Sequence, residues 1–288
     1  MIRSLAILLA ALLIALAPAA CGPASSQDTP EATIEAARRA VADAQPRRIA
    51  RLIEADGEEM RRLLDRFGVF LANVQDLGLA VQEKFPKEVA EVRARAEQAA
   101  KDGKATSLLA TITQQGGRGR KRPSGKQRVE ARAAFDTALK GLFADPYAWL
   151  RDSETRLTTA YLTEETVALL WDGKPVLAPL GMIMRRGEDG RWCFVLPTNF
   201  PGVSALMPRT PDEFKIWGSL ITVFDRVVVD LTKDVRTGRL GSLDGLAQEA
   251  GEKTFIPAAL TFLAYNRLRE IKKKEAKEAA VLATPAPK

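Results

Sequence analysis

The apolar and polar positions of this chain change their period along its length. From Thr29 to Lys101 apolar residues recur at steps of three and four, the spacing of helices that bury one stripe. Between Arg156 and Pro197 the period falls to two and turn-formers appear at short intervals, which is the pattern of antiparallel strands. After Thr210 the helical period returns.

In the first helical region, Thr29-Pro30 reads as an N-cap and a first-turn proline, and Ile34, Ala37 and Val41 predict a helix to about Ala44. Pro46 restarts the chain, with Ile49, Leu52 and Ile53 on a short second helix that Asp56-Gly57 closes. Met60, Leu63, Leu64, Phe67, Phe70, Leu71, Val74 and Leu77 predict a long third helix. Pro86 opens a charged, alanine-rich fourth helix to about Lys101, whose interleaved acids and bases read as a solvated face. Helical pattern recurs over Val129 to Phe143 and stops at Asp145-Pro146; Tyr147, Trp149 and Leu150 are then expected in a short turn.

Four strands are cut from the period-two region by its turns: Arg156 to Leu162, Thr166 to Trp171, Val176 to Arg186 and Arg191 to Leu196. Asp172-Gly173 and Asp189-Gly190 supply the tight turns, because glycine accepts the positive φ that a two-residue hairpin needs. Val167, Leu169 and Trp171 share one face, yet Ala168 and Leu170 make the other apolar as well. Such a sheet needs covering on both sides, or else it curls around a pocket, for which Tyr161, Trp171, Met182 and Trp192 are the candidate lining. Met60 to Leu77 and Phe214 to Val235 are the expected covers. Helices before a meander make the fold class α+β: helices on a curled antiparallel meander of about four strands (156–196), then a helical C-terminal extension.

Thr210-Pro211-Asp212-Glu213 is a capping box, and Phe214, Trp217, Ile221, Phe224, Val228, Leu231 and Val235 follow at alternating steps of three and four. Leu220 and Val227 widen this stripe beyond a coiled-coil seam, so burial on the chain's own core is expected. Gly238 and Gly241 break the helix. A short helix over Ser242 to Ala250 and a last one from Thr254, carrying Ile256, Leu260, Leu263, Leu268 and Ile271, complete the prediction, with a disordered tail over 280–288.

The N-terminus is of another kind. Arg3, the apolar run Leu5 to Ala17 and the small residues Ala19-Ala20 form a secretory signal, too short for a membrane span. Pro18-Ala19-Ala20-Cys21 resembles the lipobox of bacterial lipoproteins, with proline where leucine is usual. That resemblance implies lipidation of Cys21, and the absence of aspartate at position 22 favours the outer over the inner membrane. The rival reading is ordinary cleavage after Ala19. The organisation expected is a signal peptide (1–20), a flexible tether (21–29), an α+β domain (30–200) and the extension (210–279) packed on it.

Chemistry is bounded mainly by one count: the 288 residues contain no histidine. Ser-His-Asp and Cys-His nucleophile activation are therefore excluded, as is imidazole ligation of zinc, copper or iron. No catalytic residue, metal site or cofactor is assigned, and the chain is expected not to be an enzyme. Of the two cysteines, Cys193 lies between Trp192 and Phe194 and reads as an inert core thiol.

Residues 114–128 read QQGGRGRKRPSGKQR, a loop by its glycines. Its cations Arg118, Arg120, Lys121, Arg122, Lys126 and Arg128 come with no acid. In an exported protein nucleic acid is not the expected partner; the loop is either a solvated insertion or a contact with anionic lipid or an acidic envelope polymer.

Thr29-Pro30-Glu31 with its helix, the short helix over Ile49 to Glu54 and the ending Glu188-Asp189-Gly190-Arg191-Trp192 resemble the nuclear transport factor 2-like superfamily over about 29–197. The resemblance implies a sheet curled round helices, enclosing a pocket in some members, but the histidine-aspartate sites of that family have no counterpart residues here. Two functional expectations follow. One is a membrane-anchored exported lipoprotein with a non-catalytic binding or scaffolding role in the cell envelope. The alternative is a small-ligand receptor or isomerase-like enzyme using a pocket in the sheet.

Overall fold

A computed structural model describes residues 27–101, 137–176, 181–197 and 207–282. In chain order these form α1 (Pro30–Ala42), a 3-10 helix (Pro46–Leu52), α2 (Glu58–Lys84), α3 (Pro86–Lys101), a helical segment at 137–144 termed α4, and α5 (Ala148–Arg156). The strands β1 (Leu157–Thr163), β2 (Thr166–Trp171), β3 (Lys174–Pro175), β4 (Met182–Arg186) and β5 (Trp192–Val195) follow, then α6 (Pro211–Arg236) and α7 (Leu243–Leu282). The architecture is α+β: one open antiparallel sheet with helices before and after it.

Within the sheet, β1, β2, β4 and β5 lie side by side, with the short β3 continuing the β4 edge of β2. The Asp172-Gly173 turn forms as its residues dictate: both adopt positive φ (50° and 75°), which matches the twist of the flanking strands. The third expected strand is interrupted. Pro175 ends β3, Met182 begins β4, and Met182 N–H donates to Val176 carbonyl at 2.7 Å. Gln27 pairs with the outer edge of β5: Trp192 N–H donates to Gln27 carbonyl at 2.8 Å, and Gln27 Nε2 donates to Trp192 carbonyl at 2.8 Å. The expected flexible tether is therefore already docked by Gln27. Ile53 and Glu54 occupy the same edge farther along, with Glu54 N–H donating to Phe194 carbonyl at 2.9 Å.

One face of the sheet is closed by α1, whose Ile34 packs with Val167, Leu169, Met184 and Trp192. Of the covers expected from the sequence, Met60, Leu64 and Phe214 reach Leu196 just past β5, while the rest of both stripes lies in a cluster without strand residues. Helices α2 and α6 instead bury their stripes against each other, through Val74, Leu77 and Val81 on one and Val227, Val228, Leu231 and Val235 on the other. They run in the same direction, since Met60 and Leu64 share a cluster with Phe214 while Asn73 donates to Asp225 at 2.6 Å farther along. A stripe shows that a helix buries one face without naming what it is buried against. On the second sheet face Ala160, Ala168, Leu170, Ile183 and Val195 are half-buried and join none of the described hydrophobic clusters.

Two further expectations are corrected. The expected turn is instead the start of a nine-residue helix, α5, with Tyr147 as its N-cap, and buried Leu150 and Ser153 seat it beside α1. The break expected between Ala250 and Thr254 is absent, and α7 is one helix of 40 residues with Pro257 inside it. It returns antiparallel along α6, as the pairs Asp234–Lys253 and Asp212–Lys272 show. Its first turns carry Leu243, Leu246 and Ala250 into the main core, and its helical backbone reaches Leu282.

Candidate binding surface

The N-terminus of α6 sets the orientation of the C-terminal helix. Thr210 Oγ accepts from Glu213 N–H at 3.4 Å, and the Glu213 carboxylate accepts from Thr210 N–H at 3.2 Å, so both bonds of the capping box form. The same carboxylate is buried and receives Arg269 Nε at 3.1 Å. Around it, Tyr265 O–H donates to Met207 carbonyl at 3.0 Å, its ring meets Trp217 edge-on, and Lys272 Nζ donates to Thr210 Oγ at 3.0 Å. These contacts commit the Tyr265, Arg269 and Lys272 side of α7 to α6.

The remaining side of that helix faces water. Phe255, Ile256, Leu260, Phe262 and Leu263 are between 51 % and 73 % exposed. At helical spacing they fall within one half of the circumference, a contiguous apolar ridge over two to three turns. Ile256, Leu260 and Leu263 belong to the extension expected to pack on the domain, yet they face water. The missed signal was the width of the apolar arc: Tyr265 and Leu268 define one direction, and Phe255 to Leu263 define another that the same contact cannot cover.

A cleft of about 470 Å³ with charged residues in its lining lies between α1, α2, α5 and Arg93 of α3. Its floor is Asp145, whose side chain is only 7 % exposed and receives Arg93 Nε at 3.1 Å and the guanidinium of Arg151. Arg38 Nε donates to the buried Ser153 hydroxyl at 3.0 Å, and Arg38 and Arg39 share Glu35. Gln75 Nε2 donates to Val41 carbonyl at 3.1 Å while its Oε1 is buried without a partner. The arginines of this cleft are engaged in ion pairs, so an anion would have to exchange with a carboxylate to bind there. Tyr147 at its edge donates to Leu71 carbonyl at 2.7 Å, and burial raises its phenol far above the ordinary range, so it stays protonated.

The sequence-predicted pocket residues do not converge. Trp192 is 4 % exposed within the α1 cluster and Met182 packs partly against it. Trp171 lies under the Arg156 guanidinium at 4.9 Å, on the hairpin where Arg156 also bonds Asp172. Tyr161 is 62 % exposed and meets Trp192 edge-on at 6.1 Å. None of the four lines the cleft.

Cys193 is a free, half-buried thiol; burial raises its pKa, although Gln27 Nε2 lies 3.6 Å from Sγ. Among the described residues no group of three or more histidine, cysteine or acidic side chains is placed to hold a metal, and no helix is long and apolar enough to cross a membrane. Cys21 and the cations Arg118, Arg120, Lys121, Arg122, Lys126 and Arg128 lie outside the described residues. No family model, no curated protein and no solved structure matches this chain.

Proposed function

We propose that this chain is an exported bacterial lipoprotein, held at a membrane through Cys21, that serves the cell envelope by binding or scaffolding rather than by catalysis. The observation that carries the reading is the apolar ridge of α7. Five large side chains stand in water on a helix whose other side is bonded to α6, and a soluble surface has no use for such a ridge unless something covers it. The lack of histidine supports the non-catalytic part, since the commonest acid–base side chain is missing. The signal and lipobox-like residues 1–21 support the address.

Intact-mass analysis of the membrane fraction tests the anchor. A diacylated N-terminal Cys21 is expected, with Cys21→Ser releasing the chain from the membrane; an unmodified N-terminus at Ala20 would remove the lipoprotein reading. A second reading, a small-ligand receptor, is favoured by the cleft beside Asp145 rather than by the sheet. Competition by a carboxylate or phosphate ligand for Arg93 and Arg151 would appear as a rise in thermal midpoint that Arg151→Ala removes.

A further inference from the structure

We propose that the exposed face of α7 is an interfacial helix that lies on an anionic lipid surface. The inference rests on the reading of a membrane-anchored protein and adds a second, non-covalent contact to it. Along one face of the helix, the ridge of Phe255, Ile256, Leu260 and Leu263 passes directly into the exposed cations Arg267, Lys273 and Lys274. Glu252 and Glu270 share that face, so it carries an excess of one positive charge.

An apolar ridge beside cations is the arrangement that sinks side chains to the depth of lipid headgroups while ammonium and guanidinium groups meet the phosphates. A protein partner would need a groove shaped to this convex ridge, whereas a bilayer accepts a ridge of any shape. The helix has no means of burying the ridge internally by rotating, because Tyr265, Arg269 and Lys272 are bonded to Met207, Glu213 and Thr210. A lipidated residue 21 would hold the chain within reach of the surface, so the second contact has only to be weak to be occupied.

The test uses the full mature chain carrying Cys21→Ser, sedimented with vesicles of phosphatidylcholine alone and of phosphatidylcholine with phosphatidylglycerol. Sedimentation with the anionic vesicles is expected, and the pair Phe255→Ser with Leu263→Ser should abolish it. Replacing Arg267, Lys273 and Lys274 by glutamine should weaken it about a hundredfold, at roughly fivefold per cation. These side chains are exposed, so circular dichroism should report an unchanged fold.

Three outcomes overturn the proposal. They are a parent chain left in the supernatant with both vesicles, a serine pair that sediments as well as the parent, and a parent dimer that the serine pair dissociates, which would assign the ridge to a second copy. The mass of the N-terminus is measured separately. Loss of the anchor would therefore sink the anchored reading without touching the vesicle result, and failure of vesicle binding would leave the anchor standing.

Discussion

Arg269 Nε donates to the buried carboxylate of Glu213 at 3.1 Å, joining the first turn of α6 to the far half of α7. That bond fixes the rotation of α7 and thereby decides which of its side chains meet water. Removing one partner of a buried pair strands the other charge, and Arg269 is 28 % exposed, which softens the effect. Arg269→Met should therefore cost about 1–3 kcal/mol in urea unfolding. Amide exchange should quicken over 254–275 while α2 stays protected; equal quickening in both helices would show that the pair holds the whole core instead.

Gly68 of α2 faces the 3-10 helix so closely that an added Cβ would lie 2.9 Å from Arg47 carbonyl oxygen and 3.1 Å from Ala50 Cβ. In an open helix, glycine to alanine gains about 0.5–1 kcal/mol. Here the backbone oxygen has no room to yield, and Gly68→Ala should lose about 1–3 kcal/mol. Gly251, with nothing within 4 Å of the same position, should show the opposite sign. Stabilisation by both substitutions in denaturant titrations would refute the close approach.

Much of this architecture was legible in the residues. Thr210 and Glu213 announced the α6 cap, Thr29-Pro30 the start of α1, and Asp172-Gly173 the hairpin, because each is a local device whose geometry depends on near neighbours alone. What escaped was relational. The stripe of α2 was real, yet its partner is α6 and not the sheet. Helix α5 showed no apolar period, being held through its Leu150 and Ser153 by Ala36, Ala37, Leu52 and Arg38, all outside itself. Gly251 and Thr254 looked like a boundary, but the helix passes through both and through Pro257, since α6 supports it on one side. The exposed ridge of α7 escaped for the same reason: sequence marks Leu260 as apolar and is silent on whether anything lies against it.

Asp172 is held below the usual carboxylate range by its bonds from Arg156, Asp212 by Lys272 and Lys215, and Asp234 first by Arg239 and then by Lys253. A depressed folded-state pKa means that the unfolded chain takes up the proton first as pH falls. The stabilisation is therefore complete above the unfolded value of about 4 and is lost as pH drops through the folded values. With no histidine to titrate, the thermal midpoint should be flat from about pH 5 to about pH 8 and should fall below about pH 4. A midpoint that moves by several degrees between pH 6 and pH 8 would contradict this.

Burial raises the Cys193 pKa, and the chain has no histidine to withdraw its proton. In the Cys21→Ser chain, iodoacetamide should alkylate Cys193 more slowly than free glutathione at pH 7.5, a condition about one unit below an ordinary thiol pKa. Urea should restore the ordinary rate. A native-state rate above that of glutathione would make Cys193 a reactive thiol and reopen an enzymatic reading.

The ridge from Phe255 to Leu263 is the surface proposed to meet lipid, and a polarity-sensitive fluorophore placed within it reports that contact directly. Leu260→Cys in a chain lacking the native thiols carries the probe, and Thr158→Cys on exposed β1 serves as the reference. On addition of anionic vesicles, emission from position 260 should shift to the blue and become shielded from aqueous iodide while position 158 stays unchanged. No shift at 260, or the same shift at both positions, would contradict the assignment.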